Sequence, residues 1–293
     1  MKSFGRILTA MVTPFHQDGT VNYEAAAKLA EHLIQNGSDG LVVAGSTGEA
    51  ATMNKEEKLE LFRVIVKKVG NKATIIAGTG SNDTLASVEM TRAAEKTGVH
   101  GVLLVGPYYN KPPQEGFYQH FKTIAQSISL PAVIYNVPGR TASNILPSTI
   151  IRLSEIDNIV AVKESSGQLE QFAEIIRGTS PDFMVYSGDD SLTLPSLAIG
   201  AQGIVSVAAH VAGNAMKRMI EAFLAGDIKT AAKLHLALLP VFKGLFITTN
   251  PIPVKTAVNL LGLNAGPFRL PLVNATEQET AKIQEVLQLI PAI

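Results

Sequence analysis

The sequence predicts a (β/α)8 barrel with a C-terminal three-helix appendage. Three observations lead there. Short β-branched apolar runs recur every twenty to thirty residues, eight in all. Each run is almost continuously apolar, as strands covered on both faces must be. Segments of helical period lie between the runs, so strand and helix alternate over about the first 225 residues. An open doubly wound sheet is the competing arrangement of the same alternation.

In chain order the strand candidates are ILTAMVT (7–13), GLVVAG (40–45), ATIIAG (73–78) and GVLLVG (101–106). AVIYNV (132–137), IVAVKE (159–164), FMVYSG (183–188) and GIVSVA (203–208) follow. The segment NKEEKLELFRVIVKKVG puts Leu59, Phe62, Val66 and Val69 on one stripe, opens on an Asn N-cap and closes on glycine. NDTLASVEMTRAAEKTG is built the same way, and Gly37, Gly70 and Gly98 each end a helix just before a strand. The sixth and seventh helices are shorter. Residues 1–225 thus read as the barrel. Residues 226–293 read as a helical region made of DIKTAAKLHLALLPVFKGLF, NPIPVKTAVNLLGL and TEQETAKIQEVLQLI. No Pro/Ser linker separates the two.

The bulk properties narrow the function. Of 293 residues, 46% are apolar and only 17% charged, with a mean hydropathy of +0.20, so much of the chain is core. Formal net charge is zero, which argues against a nucleic-acid partner and leaves any anionic ligand to a few placed groups. The absence of cysteine excludes disulfides, thiolate metal sites and a cysteine nucleophile, and fits a cytoplasmic protein. The opening MKSFGRILTAMVTPF is broken by Thr9, Thr13 and Pro14 and does not read as a signal peptide. Residues 197–216 contain Gln202, His210 and Asn214, so no membrane span is expected there. The six histidines show no ligand spacing, and neither a metal nor a cofactor is expected.

Active sites of such barrels lie at the C-terminal ends of the strands. The residues there form a hydroxyl-rich ring with one lysine, Lys163, and one arginine, Arg140. A lysine ending an apolar strand would send its amine into the barrel mouth. Desolvation disfavours the charged form of an amine, and a neutral amine attacks a ketone to form an imine. Pairing with Glu164 at a strand end is the plainer alternative. Tyr135 ends the neighbouring strand, where a phenol can pass protons to imine chemistry or serve as a core tyrosine. GSTGEA (45–50) offers two adjacent hydroxyls before a helix, suited to a carboxylate or to a simple glycine turn. GTGSND (78–83) lacks the third glycine of a dinucleotide fingerprint and reads as a turn with Asn82 or Asp83 as helix cap. GPYYNKPPQ (106–114) sets Tyr108 and Tyr109 on a proline-stiffened loop, a pattern more common at oligomer contacts than at catalytic groups. Arg140, past a Pro-Gly turn, can clamp a carboxylate or lie on the surface.

With Gly45–Glu49, Tyr135–Thr141 and Lys163–Glu164 in view, the chain resembles the pyruvate-dependent class I aldolase family. PYYNKP, YSGDDS, GIVSV and NPIPVK extend the resemblance over essentially the whole sequence. It implies an imine between pyruvate and Lys163, an enamine, and attack on the aldehyde of aspartate semialdehyde on the way to lysine. It further implies a proton relay of Tyr135, Ser46 and Tyr109, the last reaching across a dimer interface. Thr47 would hold the pyruvate carboxylate, Arg140 the carboxylate of the aldehyde, and Gly188 and Val205 would give backbone near the imine. The assembly implied is a homotetramer of tight dimers. Ser46 stands where the family commonly has threonine, which keeps the hydroxyl but frees its rotation. GSTGE also occurs in the sialate lyase branch, so cleavage of a sialic or 2-keto-3-deoxy sugar acid is the alternative activity; VPGRT favours the short aldehyde acid. A barrel that senses a keto acid without turnover is the alternative of a different class. Lysine-inhibited members carry a histidine and a glutamate where Lys58 and Ala86 stand here, while Asn82 and Tyr108 remain, so weak or absent lysine feedback is expected.

Overall fold

A computed structural model describes residues 4–290. Residues 1–3, within the opening segment read above, and 291–293, at the end of the helical region, lie outside the described residues. Eight strands close into one parallel barrel in sequence order. They are β1 (Ile7–Ala10), β2 (Gly40–Val43), β3 (Thr74–Gly78) and β4 (Gly101–Val105), then β5 (Ala132–Asn136), β6 (Ile159–Glu164), β7 (Met184–Ser187) and β8 (Gly203–Ser206). Every predicted run holds its strand, but most strands stop short of the apolar run. The surplus residues turn out of the ladder into the mouth loops; β2, for example, is ended by Ala44 in the left-handed region (φ 53°).

Alternation along each strand divides the core in two. Leu8, Val42, Leu103, Val133, Ala161, Tyr186 and Val205 fill the barrel interior. Residues of the opposite parity pack outward against the helices, as Ile75, Ile134 and Val162 do. Phe4 joins the interior cluster from below β1, and Tyr186 Oη donates to Gly5 O at 2.9 Å. The N-terminal segment therefore caps the barrel floor. The Asp39 carboxylate pins that segment by accepting from the backbone N–H of Arg6 (2.7 Å) and Ile7 (3.0 Å).

Helix α1 (Tyr23–Gln35) follows β1. Helix α2 (Lys55–Val69) opens on Asn54 in a full capping box with Glu57. Its buried stripe is Leu61, Phe62, Ile65 and Val69, whereas Leu59 and Val66 are only half-buried. The expected stripe shared two of these positions. Helical period alone admits both sets, and the barrel wall selects the one centred between Phe62 and Ile65. Asp83, not Asn82, caps α3 (Thr84–Glu95) by accepting from Ala86 N. Helices α4 (Gln114–Ala125), α5 (Pro138–Thr141), α6 (Pro147–Leu153), α7 (Leu169–Gly178) and α8 (Thr193–Ala198) continue the alternation. The single turn of α5 was not foreseen.

Helix α9 (Ala209–Leu224) completes the barrel, and α10 (Ile228–Gly244), α11 (Ile252–Leu260) and α12 (Glu277–Leu289) form the helical region. Val241, Phe242, Val254, Ala257 and Ile283 of that region share one apolar cluster with Leu29, Phe62 and Met216 of the barrel. Residues 226–290 are thus continuous with the barrel's outer core. The segment that starts α11 reaches the mouth.

Candidate active site

Two confluent cavities of about 480 and 380 Å³ open at the C-terminal ends of the strands. Both are lined by Gly45, Ser46, Tyr135, Arg140 and Asn250, and the smaller one contains Lys163. The amine of Lys163 lies in the smaller.

Lys163 shares the inward parity of Ala161 and is 6% exposed. It stands opposite Tyr135 in the β5–β6 register, and its Nζ lies 4.1 Å from the centre of the Tyr135 ring. The neighbouring Glu164 faces the other way, as strand alternation requires. Its carboxylate accepts from Asn136 Nδ2 (3.0 Å), Gln171 Nε2 (3.0 Å) and Ser166 N (2.6 Å). The Lys163–Glu164 pairing considered above does not occur, and Lys163 joins none of the ion pairs among the described residues. Its Nζ contacts the Tyr135 ring face instead.

Gly188, at the end of β7, makes room for this lysine. A Cβ there would lie 2.7 Å from Lys163 Cε and 1.9 Å from Ser165 Oγ. Gly78 has a similar task under the GSTGEA loop, where a Cβ would meet Ala44 O at 2.2 Å. Close approach of two backbones, not a phosphate, explains that glycine.

The GSTGEA loop is wound tightly. Gly48 N and Ala50 N both donate to Gly45 O, and Thr13 Oγ1 donates to Gly48 O at 2.6 Å. Thr47 is buried, and its Oγ1 accepts from Asn250 Nδ2 at 2.9 Å. With its oxygen so engaged, the Thr47 O–H is left to donate into the cavity. Asn250 also holds Arg140, whose Nη2 donates to Asn250 O at 3.1 Å. Glu49, in the left-handed region (φ 54°), pairs with fully buried Lys255 of α11 at 2.7 Å. Burial pulls the Lys255 ammonium down to about 8, against the opposing pull of Glu49. Phe15 lies 4.2 Å below that ammonium. The helical region therefore buttresses the loop from behind. No local pattern in NPIPVK tells that Asn250 and Lys255 fold back over 200 positions to this loop.

Across the mouth, buried Asp190 accepts from Ser206 Oγ, Val207 N and Ala208 N, tying the end of β7 to that of β8. Burial raises its carboxyl to about 6 despite those three donors. His210 Nε2 accepts from Val12 N, fixing the neutral tautomer whose Nδ1–H donates to Val207 O. Burial lowers its imidazole to about 4.

The remaining predicted residues are placed as follows. Ser46 lies on the exposed rim of both cavities. Val205 is buried in the barrel interior, and Val207, not Val205, lines the cavity. Tyr109 is 89% exposed, sits in the left-handed region (φ 71°) and lines neither cavity of the single chain. Among the described residues no cluster of His, Cys, Asp and Glu could hold a metal, and no helix is long and apolar enough to cross a membrane.

Fold and cavity together define a (β/α)8-barrel enzyme. The chain belongs to the dihydrodipicolinate synthetase family, whose model matches residues 3–290. It is 57% identical over 285 residues to the 4-hydroxy-tetrahydrodipicolinate synthase of Desulforamulus reducens, covering 97% of this chain and 96% of that one. It is 58% identical to the enzyme of the same name from Desulforudis audaxviator, covering 97% of each. The crystal structure of a Bacillus anthracis dihydrodipicolinate synthase superposes with a TM-score of 0.97 at 52% identity, covering 98% of this chain and 99% of that one.

Proposed function

We propose that this chain catalyses the reaction of the 4-hydroxy-tetrahydrodipicolinate synthases, condensing pyruvate with aspartate semialdehyde through an imine at Lys163. One observation carries the reading. A buried lysine without an ion-pair partner faces a tyrosine across adjacent strands, inside a cavity that also holds an arginine.

Lys163 Nζ adds to the ketone carbon of pyruvate, and the ketone oxygen leaves as water. The imine acts as an electron sink, so the methyl carbon loses a proton and becomes an enamine. That carbon attacks the aldehyde, whose oxygen takes a proton and becomes the 4-hydroxyl. The substrate's own amine then displaces Lys163 at the imine carbon and closes the ring. Tyr135, whose ring centre lies 4.1 Å from Nζ, would carry these protons. Ser46 on the rim would extend the relay, and Tyr109 would complete it from a second copy of the chain. Thr47, which lines the cavity, would hold the pyruvate carboxylate. Arg140 would exchange its contact with Asn250 O for the carboxylate of the aldehyde. Gly188 gives the lysine stem its space, and Gly188 and Val205 would contribute backbone near the imine. No cofactor takes part. A cytoplasmic homotetramer is the setting this reading adopts.

Incubation with pyruvate and borohydride tests the proposal. The expected result is a reduced pyruvate adduct on Lys163 by peptide mapping. Omitting borohydride and adding aspartate semialdehyde should give turnover that keto-deoxy sugar acids do not give. An unmodified Lys163 would end the proposal.

A further inference from the structure

Ser165 lies two residues beyond Lys163, and the steps above leave it without a task. Its Oγ is enclosed yet has no hydrogen-bond partner among the described residues, and the residue lines the cavity that contains Lys163. Buried hydroxyls are normally paired, and one that is not contributes nothing to folding that alanine would not. The position of this one is informative. The point where a Gly188 Cβ would stand is 1.9 Å from Ser165 Oγ and 2.7 Å from Lys163 Cε. The hydroxyl and the end of the lysine stem therefore flank one small space on the β7 side. Tyr135 holds Nζ from the β5 side. A carbon bonded to Nζ would have the phenol on one side and the serine hydroxyl on the other.

We propose that Ser165 is a further catalytic residue, whose hydroxyl hydrogen-bonds the oxygen on the ketone carbon while the imine forms and hydrolyses at Lys163. This rests on Lys163 as the imine-forming residue. On addition, the nitrogen lone pair makes the C–N bond and the carbonyl π pair moves onto oxygen, which takes one proton from the nitrogen. The C–O bond then breaks, the nitrogen gives up its second proton, and the oxygen departs as water as the C=N bond forms. Negative charge builds on that oxygen in the first step. A donor placed beside that oxygen, with no other hydrogen bond to break, stabilises the charge.

Rapid-quench borohydride trapping with pyruvate tests the assignment on the wild-type chain, Ser165→Ala and Ser165→Thr. Ser165→Ala should form the Lys163 adduct about 10²-fold more slowly, the effect typical of losing one such donor. Its melting temperature should be unchanged or higher, and its KM for aspartate semialdehyde unchanged. Ser165→Thr keeps the hydroxyl and should recover most of the rate. Trapping by Ser165→Ala at the wild-type rate overturns the proposal, as does slow trapping accompanied by a lower melting temperature. Failure of the wild-type chain to form any adduct refutes the role of Lys163 instead.

Discussion

Replacing Gly188 by alanine tests whether the placement of the lysine, and not merely its presence, sets the rate. The new methyl would lie 2.7 Å from Lys163 Cε and 1.9 Å from Ser165 Oγ. Carbon atoms in contact prefer ~3.5–4.0 Å, so the lysine stem must move by roughly 1 Å. Tyr135 and the strand register leave it no equivalent position, so Nζ should leave its place over the phenol ring. A misplacement of about 1 Å at a reacting atom costs on the order of 10²-fold, or ~2.7 kcal/mol of activation free energy. The serine hydroxyl can rotate away, so the stability loss should stay within the ~1–3 kcal/mol of ordinary overpacking. Steady-state kcat/KM for pyruvate, with borohydride trapping and thermal melting, separates the two effects. Adding Ser165→Ala should not restore the rate, because the clash with Cε remains and the serine hydroxyl is gone. A Gly188→Ala enzyme with wild-type kcat/KM and trapping rate would refute this steric argument.

Arg140→Ala should lower kcat/KM for aspartate semialdehyde by about 10- to 10²-fold, the worth of a hydrogen bond to a charged group, and leave imine formation intact. Stopped assays at varied aldehyde concentration check this. Lys255→Met strands the Glu49 carboxylate in the core and should cost ~3–5 kcal/mol in denaturant unfolding, most of which Lys255→Met with Glu49→Leu restores. Two buried groups give opposing pH terms. Asp190, raised from 3.8 to about 6, gives stability that is lost as pH rises from about 4 to 6. His210, lowered from 6.5 to about 4, gives stability that is lost as pH falls through the same window. Each is worth ~3 kcal/mol at ~1.4 kcal/mol per unit. Unfolding free energies at pH 4 and 6.5 should show the wild-type advantage over Asp190→Asn shrinking by about that amount as pH rises; a constant difference would show that Asp190 does not titrate there. Lysine should inhibit weakly or not at all, because Lys58 puts a cation into the outer cavity; half-inhibition at low lysine concentration would contradict this.

The barrel was legible because both sides of its strands are apolar, a signal that needs no partner to be read. Lys163 and Tyr135 were legible as mouth candidates for a related reason, since a polar residue of inward parity at the end of such a run faces the mouth, whereas Glu164, of the opposite parity, does not. Register then made them neighbours. Residues whose role depends on distant folding were not legible. Asn250, Lys255 and Asp190 act through contacts made only after the α11 segment and the β7–β8 loops have closed over the mouth. The α2 stripe shows a similar boundary, as helical period limits the face without choosing between overlapping sets. Ser165 carried no signal at all, because nothing in ESSG distinguishes an enclosed hydroxyl from a solvated one.

The packed interior, sealed below by Phe4 and the bond from Tyr186 to Gly5, leaves the cavity at Lys163 no passage through the barrel. On the proposed reading, pyruvate joined to Lys163 lies against that packed floor, and any later arrival must settle above it. Reactants must therefore enter in a fixed queue, pyruvate ahead of the aldehyde. The finished ring has to climb out by the doorway through which its components came before a fresh pyruvate can descend.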